Sequence, residues 1–522
     1  MELAAKILMI AAFAVFGGSQ AVYYTHMLQL NSYRPERYAK WCRENAGKLA
    51  APSRWLSPLL SIAAVAVMVY MKTQPVYVYG ITALITALGL PASWPKKAKK
   101  PLVVTARVKR LFLSLAVLYC LCSVALWFAP AAAAAIIYAA AAVFYWLWVV
   151  AANLLNMPGE KMVAGWYVKD ARKTLEAMPD LTVIGITGSY GKTSAKNYLH
   201  ALLSTRFNVL MTPESFNTTM GVVRTVREHL KPSHQVFIAE MGAKNVGDIK
   251  EICDLVHPRH GMITSIGEQH LETFRTVDNI IKTKFELADS LPQDGIAFLN
   301  ADNAYIRSRP VTGKRVTYGV QKDSGADYTA TDITVDQRGS RFTVTAPNGE
   351  TAEFITKLLG AHNIQNLVGC IAVAHTLGIP LAELVYPVRM LKPVAHRLQM
   401  LPNGFIDDAY NSNPAGFRSA LDALKAFDAQ RILVTPGMVE LGERQEALNR
   451  ELGQYAADCC DYAVLVGEKQ APPLRRGLLD GGFPEERIFV AATLQEGLAH
   501  LGSLPRAEKR FVLLENDLPD NF

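Results

Sequence analysis

The chain has 522 residues, 50% of them hydrophobic and only 19% charged, with a mean hydropathy of +0.13. It is too long for a single ordinary core and too apolar for a disordered chain, and the hydropathy points to a membrane-embedded part. The net charge of +8 is unevenly held: residues 1–180 carry 19 Lys and Arg against 7 Asp and Glu, leaving 35 against 39 for the remainder. A nucleic-acid surface would need a basic stripe on the folded part, so nucleic acid is excluded as a partner. Seven scattered cysteines (Cys42, Cys120, Cys122, Cys253, Cys370, Cys459, Cys460) form no C-x-x-C pair, which signals neither a disulfide framework nor a zinc ribbon.

Apolar runs at residues 7–24, 56–71, 76–90, 111–128 and 131–155 are almost free of charge, and most approach the ~20 residues needed to cross a bilayer. Five transmembrane helices are expected within 1–156, the first an anchor without a clear cleavage site. Arg34, Arg37, Lys40, Arg43, Lys48 and Arg54 fill the first loop, and Lys96, Lys97, Lys99, Lys100, Arg107, Lys109 and Arg110 the third. The positive-inside rule then places the N-terminus outside and everything after Asn156 in the cytoplasm. No span contains an internal charge, which disfavours a proton relay or transporter. An amphipathic connector follows over 157–180.

Beyond it, short β-branched runs alternate with helical stretches, the pattern of a parallel α/β sheet. The run Leu181-Thr182-Val183-Ile184-Gly185-Ile186 leads into Thr187-Gly188-Ser189-Tyr190-Gly191-Lys192-Thr193-Ser194 and a helix. Glycines let backbone N–H groups close on phosphate oxygens, Lys192 reaches the terminal phosphates and the Thr193 hydroxyl suits Mg²⁺. The spacing departs from the commonest phosphate loop, because Ile186 stands where a glycine is usual. Val236-Phe237-Ile238-Ala239-Glu240 ends in a carboxylate at the edge where a parallel sheet presents a metal ligand. Gly261 to Ile266 runs into Gly267-Glu268-Gln269-His270, making His270 a second candidate ligand, and Gly295 to Leu299 ends in Asn300-Ala301-Asp302.

From about Leu181 onward these residues resemble the ATP-dependent Mur ligase family, nearest its MurF type, which joins D-alanyl-D-alanine to UDP-N-acetylmuramoyl-tripeptide. The resemblance rests on the phosphate loop, Phe216-Asn217-x-x-x-Gly221-Val222, Ala239-Glu240-Met241-Gly242-Ala243, Ile266-Gly267-x-x-His270-Leu271-Glu272, Leu299-Asn300-Ala301-Asp302, His362-Asn363-x-x-Asn366, His396-Arg397-Leu398-Gln399 and Asp407-Asp408-x-Tyr410-Asn411-x-Asn413-Pro414. It implies a phosphate-loop ATPase domain over 181–392 and a smaller Rossmann-like α/β domain over 393–522. It implies that Gly188, Gly191, Lys192, Thr193 and Ser194 hold the ATP phosphates, with Mg²⁺ on Thr193, Glu240 and His270. Lys284 resembles the family lysine that is carbamylated, and Lys192, Lys284 and His270 are the candidate catalytic groups. Asn363 and Asn366 resemble the adenine-side contacts, Arg397 reaches toward ATP, and Asp408, Tyr410 and Asn411 resemble a loop closing on ribose and adenine.

The reaction implied is amide formation through an acyl phosphate, in peptidoglycan synthesis. A carboxylate cell-wall precursor would be the acceptor and an amino acid or dipeptide the amine. Two departures stand out. The end Leu514-Glu515-Asn516-Asp517-Leu518-Pro519 lacks the basic, glycine-bearing turn expected of the soluble enzymes, and the helices stand where those enzymes have a UDP-binding domain. A lipid-linked acceptor, with the helices holding its lipid, is therefore expected alongside simple membrane anchoring. Poly-γ-glutamate-type synthesis and a non-catalytic, nucleotide-dependent membrane scaffold are the alternatives.

Overall fold

The structure, a computed structural model, describes residues 1–45, 52–93, 101–268, 271–336, 338–410, 412–439, 441–467, 471–505 and 507–517. His270 and Asn411 of the expected site, and Lys48, Lys96, Lys97, Lys99 and Lys100 of the basic loops, lie outside the described residues. The chain divides into two compact units, Met1–Trp166 and Tyr167–Phe522.

The first unit is helical: α1 (Glu2–Leu30), α2 (Pro35–Glu44), α3 (Pro52–Tyr70), α4 (Pro75–Ser93), α5 (Ala106–Phe128), α6 (Ala131–Val143) and α7 (Tyr145–Glu176). Starts follow local chemistry. Pro35 sits in the first turn of α2, where its missing N–H costs nothing, and the Thr105 hydroxyl accepts from Val108 N–H to cap α5. Met9, Phe13, Phe16, Gly17, Tyr24 and Leu28 line the inward face of α1. At Gly17 a Cβ would lie 1.5 Å from the Tyr119 hydroxyl, so the absent side chain is what lets that ring rest on the α1 backbone.

Each apolar run falls in helix, but two differences from expectation appear. Among the described residues, two helices are long and apolar enough to cross a membrane, Glu2–Leu30 and Ala106–Phe128, while Pro75–Leu88 is apolar but shorter. The run 131–155 is not one continuous helix: Phe144 takes φ −93° and ψ 22° and closes α6 after 13 residues. The expected connector is a continuation of α7, which carries Pro158 within it and runs to Glu176, so the division between units falls inside that helix rather than at 156.

The second unit contains two sheets. Strands β1 (Thr182–Thr187), β2 (Val209–Met211), β3 (Val236–Glu240), β4 (His260–Ile263), β5 (Ile296–Asn300), β6 (Lys314–Gly319), β7 (Tyr328–Asp336), β8 (Gly339–Thr345) and β9 (Thr351–Thr356) form one sheet in the order β2-β3-β1-β4-β5-β6-β7-β8-β9. It is parallel from β2 to β7 and antiparallel beyond. Parallel strands buried on both faces need continuous apolar runs, and Ile184, Ile186, Phe237, Ile238, Met262 and Phe298 supply them. Helices α8 (Lys192–Leu203), α9 (Thr219–His229), α10 (Asp248–Val256), α11 (Val277–Asp289) and α12 (Ala361–Thr376) cover it.

The second sheet has β10 (Gln399–Met400), β11 (Phe405–Asp408), β12 (Gln430–Thr435), β13 (Tyr462–Val466), β14 (Ile488–Ala491) and β15 (Arg510–Glu515) in the order β10-β11-β15-β12-β13-β14, all parallel except the edge strand β10. Its own core includes Phe417, Leu421, Leu433, Leu465 and Leu513. The α/β architecture expected after the helices is thus present, with one sheet per domain.

Candidate active site

Thr187 ends β1, and the chain turns through Gly188 and Gly191 into α8. Gly191 has φ +81°, and a Cβ there would lie 2.6 Å from the Asn366 amide, so only glycine fits both the conformation and the space. The loop is fastened to the extension of β4: Ser189 N–H donates to Ser265 O at 2.7 Å, Tyr190 N–H to Ser265 Oγ at 3.0 Å, and Tyr190 OH to Glu268 O at 2.9 Å. Lys192 Nζ donates to Gly188 O at 2.7 Å and Ser189 O at 3.1 Å. Burial brings its pKa down to about 8, with the Glu240 charge opposing and Arg397 adding to the fall. Ser194 is buried behind the loop. A helix N-terminus with a lysine folded over a rigid glycine turn is an anion cradle.

Glu240 stands at the C-terminal end of β3, 1% exposed. Its Oε1 accepts from Thr193 Oγ1 at 3.2 Å and from Asn217 Nδ2 at 3.0 Å. Its Oε2 lies 3.0 Å from Lys196 Nζ, an ion-pair distance, yet has no aligned hydrogen bond. Lys284 on α11 is also buried, and burial followed by the nearby Lys192 charge holds its amine well below the usual lysine range. Glu286 does not neutralise it by contact: its carboxylate accepts from Gly247 N–H at 2.8 Å and Lys250 N–H at 2.9 Å at the start of α10.

No group of three or more His, Cys, Asp or Glu side chains gathers among the described residues. The Thr193 hydroxyl and an incompletely satisfied buried carboxylate are nevertheless hard oxygen donors that fit Mg²⁺, an ion that keeps waters and takes phosphate oxygens as its other ligands.

Tyr198 OH donates to Asn363 Oδ1 at 2.9 Å, and Asn363 Nδ2 donates to Leu359 O at 2.9 Å. It ties α12 to α8, whereas Asn366 lies against the phosphate loop. His362 Nδ1 is 2.7 Å from Ser419 Oγ, and burial with the Arg397 charge pushes it down to about 4. Arg397 stacks over Tyr410 at 4.3 Å, and its charge reaches Lys192, Asp408 and Glu515. The flanking His396 and Leu398 have φ of +59° and +50°, a strained entry into the second domain. Across the two domains Arg444 Nη1 bonds both Glu268 carboxylate oxygens at 2.5 Å.

Asp408 and Glu515 are register partners at the C-terminal ends of β11 and β15. Asp408 Oδ1 accepts from Leu398 N–H at 3.0 Å, and Ser412 Oγ donates to Glu515 Oε1 at 2.6 Å; Glu515 Oε2 has no other donor, and the two carboxyls are placed to hydrogen-bond each other through a shared proton. Burial lifts Asp408 to about 6 and raises Glu515 well above the usual carboxylate range, the Asp408 charge adding to the latter. Neither Lys196 nor this carboxyl pair was expected from sequence. The one local signal for Lys196 is its place four residues after Lys192, on the inward face that Ala195, Tyr198 and Leu199 otherwise make apolar.

Residues 186–374 match the Mur ligase middle domain and residues 396–514 the Mur ligase glutamate ligase domain, together more than half of the chain. The chain belongs to the Mur ligase family. Among its relatives, the UDP-N-acetylmuramoyl-tripeptide--D-alanyl-D-alanine ligase of Escherichia coli is 33% identical over 294 residues, which are 55% of this chain and 65% of that one. The alignment thus spans slightly less than two thirds of that Mur ligase. Among solved structures, MurF from Acinetobacter baumannii superposes with a TM-score of 0.61 at 27% identity, covering 67% of this chain and 76% of that one. MurF ligase from Thermotoga maritima in complex with ADP gives 0.60 at 25% identity, covering 67% and 80%. Both family matches begin after the helical unit.

Proposed function

We propose that this Mur ligase is an ATP-dependent amide-forming enzyme of the MurF type. A substrate carboxylate takes the γ-phosphoryl group of ATP, releasing ADP. The amine then attacks the acyl phosphate, expels phosphate and loses a proton to leave the amide. The observation that carries the reading is the convergence of Lys192, Thr193, Glu240 and the buried Lys284 at one sheet edge. Lys192 and the α8 N-terminus bind and orient the phosphates, and the rigid loop keeps that orientation through transfer. Mg²⁺ on Thr193 and Glu240, with His270 expected beside them, would supply neutralisation of phosphate charge. Arg397 and Tyr410, arriving from the second domain, help close the cleft over nucleotide and exclude water.

Burial keeps the Lys284 amine neutral enough to attack CO₂, giving a carbamate and a released proton. That modification puts an anion in place of the amine beside Lys192, so the charge that now depresses Lys284 becomes an attraction. For substrates, the relatives' names suggest UDP-N-acetylmuramoyl-tripeptide as acceptor and D-alanyl-D-alanine as amine. The two long apolar helices and the basic loops support action at the cytoplasmic face of a membrane, where a lipid-linked form of the acceptor is the natural variant.

The test is ADP release by detergent-solubilised protein supplied with both substrates. Turnover requiring both, and lost in a folded Lys192→Ala variant, is expected. ADP formation that persists in that variant overturns the mechanism, and activity only with a lipid-linked acceptor reassigns the substrate.

A further inference from the structure

Lys196 is 0% exposed, and a lysine is almost never fully buried without a partner that requires it. Its Nζ lies 3.0 Å from Glu240 Oε2, and it also donates to the backbone carbonyl of Glu214. Glu214 has φ +43°, a conformation that non-glycine residues hold only when something fixes them. The segment it belongs to wraps Glu240 on three sides. Thr212 Oγ1 accepts from Glu240 N–H at 3.1 Å, Asn217 Nδ2 donates to Oε1 at 3.0 Å, and Asn217 O accepts from Gly242 N–H at 2.7 Å.

From this geometry we propose that Lys196 is a positioning residue for the metal site: it pins Oε2 of Glu240 and, through Glu214, the Thr212–Asn217 segment, so that Oε1 is presented toward Thr193 and the Mg²⁺-nucleotide. Without the ammonium, a buried carboxylate would be left with one oxygen unpaired and free to rotate away from Thr193. Partners that orient a metal ligand from behind typically change metal affinity by about 10- to 100-fold when removed.

The inference rests on Glu240 being a Mg²⁺ ligand, and the experiment separates the two. ADP binding to the full-length protein in detergent is measured by titration calorimetry across a Mg²⁺ series and in EDTA, for wild type, Lys196→Met, Glu240→Gln and the double variant. Lys196→Met is expected to raise the Mg²⁺ concentration for half-maximal enhancement of ADP binding about tenfold, leaving affinity in EDTA unchanged. The double variant should behave as Glu240→Gln alone and melt no lower than Lys196→Met, because both members of the buried pair are removed together. If Lys196→Met does not fold, the double variant and Lys196→Arg carry the comparison, the latter expected to retain most of the wild-type Mg²⁺ response. An unchanged Mg²⁺ response in folded Lys196→Met, or multiplicative effects in the double variant, overturns the role of Lys196. An unchanged response in Glu240→Gln overturns the metal assignment itself.

Discussion

The paired carboxyls Asp408 and Glu515 make the second domain sensitive to pH in a direction that can be worked out. Asp408 is 9% exposed and lifted to about 6, chiefly by burial, whereas an unfolded aspartate titrates near about 4. Between those values the folded chain binds more protons than the unfolded one, so the stability contribution is full below about 4 and is lost as pH rises through about 6. A two-unit shift corresponds to about 3 kcal/mol, and Glu515, raised further by burial and by Asp408, extends the loss to higher pH. Asp408→Asn keeps an oxygen for Leu398 N–H, now bonded at 3.0 Å, and offers an amide N–H to the Glu515 carboxylate in place of the shared proton. The variant should therefore match wild type near pH 4 and exceed it at pH 8 by up to about 3 kcal/mol, roughly 6 °C at about 2 °C per kcal/mol for a unit of this size. Thermal unfolding of the full-length protein in detergent from pH 4 to pH 8 is the assay. A variant with the wild-type pH slope, or one less stable at pH 8, would refute the argument that a proton-sharing carboxyl pair sits between β11 and β15.

Two further outcomes follow from the phosphate loop and its surroundings. Gly191→Ala forces a left-handed alanine and places a methyl 2.6 Å from the Asn366 amide, a strain of about 1–3 kcal/mol, so ADP affinity should fall roughly tenfold or more by calorimetry with the fold intact; unchanged affinity would show that the loop does not hold phosphate. Protein equilibrated with ¹³C-bicarbonate should give a carbamate carbon resonance that disappears in Lys284→Met and fades on acidification, which protonates the carbamate and releases CO₂; the same resonance in both proteins would place the modification elsewhere.

Much of the fold was legible because its signals are local. A β-branched run followed by glycines and a lysine can hardly be anything but a strand, a phosphate loop and a helix, and β1, β3, β4 and β5 stand where their runs are. The helical unit was less legible, since hydropathy measures composition and not backbone breaks. Residues 131–155 read as one span, yet Phe144, with neither glycine nor proline beside it, divides them. The helix α7 likewise runs through Pro158, where sequence alone suggested a boundary.

The site shows the same division between local and distant information. Thr193 and Glu240 announce themselves by position at a loop and at a strand end, but their 3.2 Å contact joins residues 47 apart in the chain, and Lys196 acquires its meaning only from that contact. Asn363 carries the complementary lesson: its motif position says nothing of the bonds to Tyr198 and Leu359 that fix the orientation of its amide. The acidic strand end at Glu515, visible only as a departure from a basic turn, becomes interpretable once the register sets it beside Asp408. Two carboxyls in one buried position are stable only while they share a proton or a cation arrives between them. Arg397, whose charge already reaches both, is the cation nearest to hand.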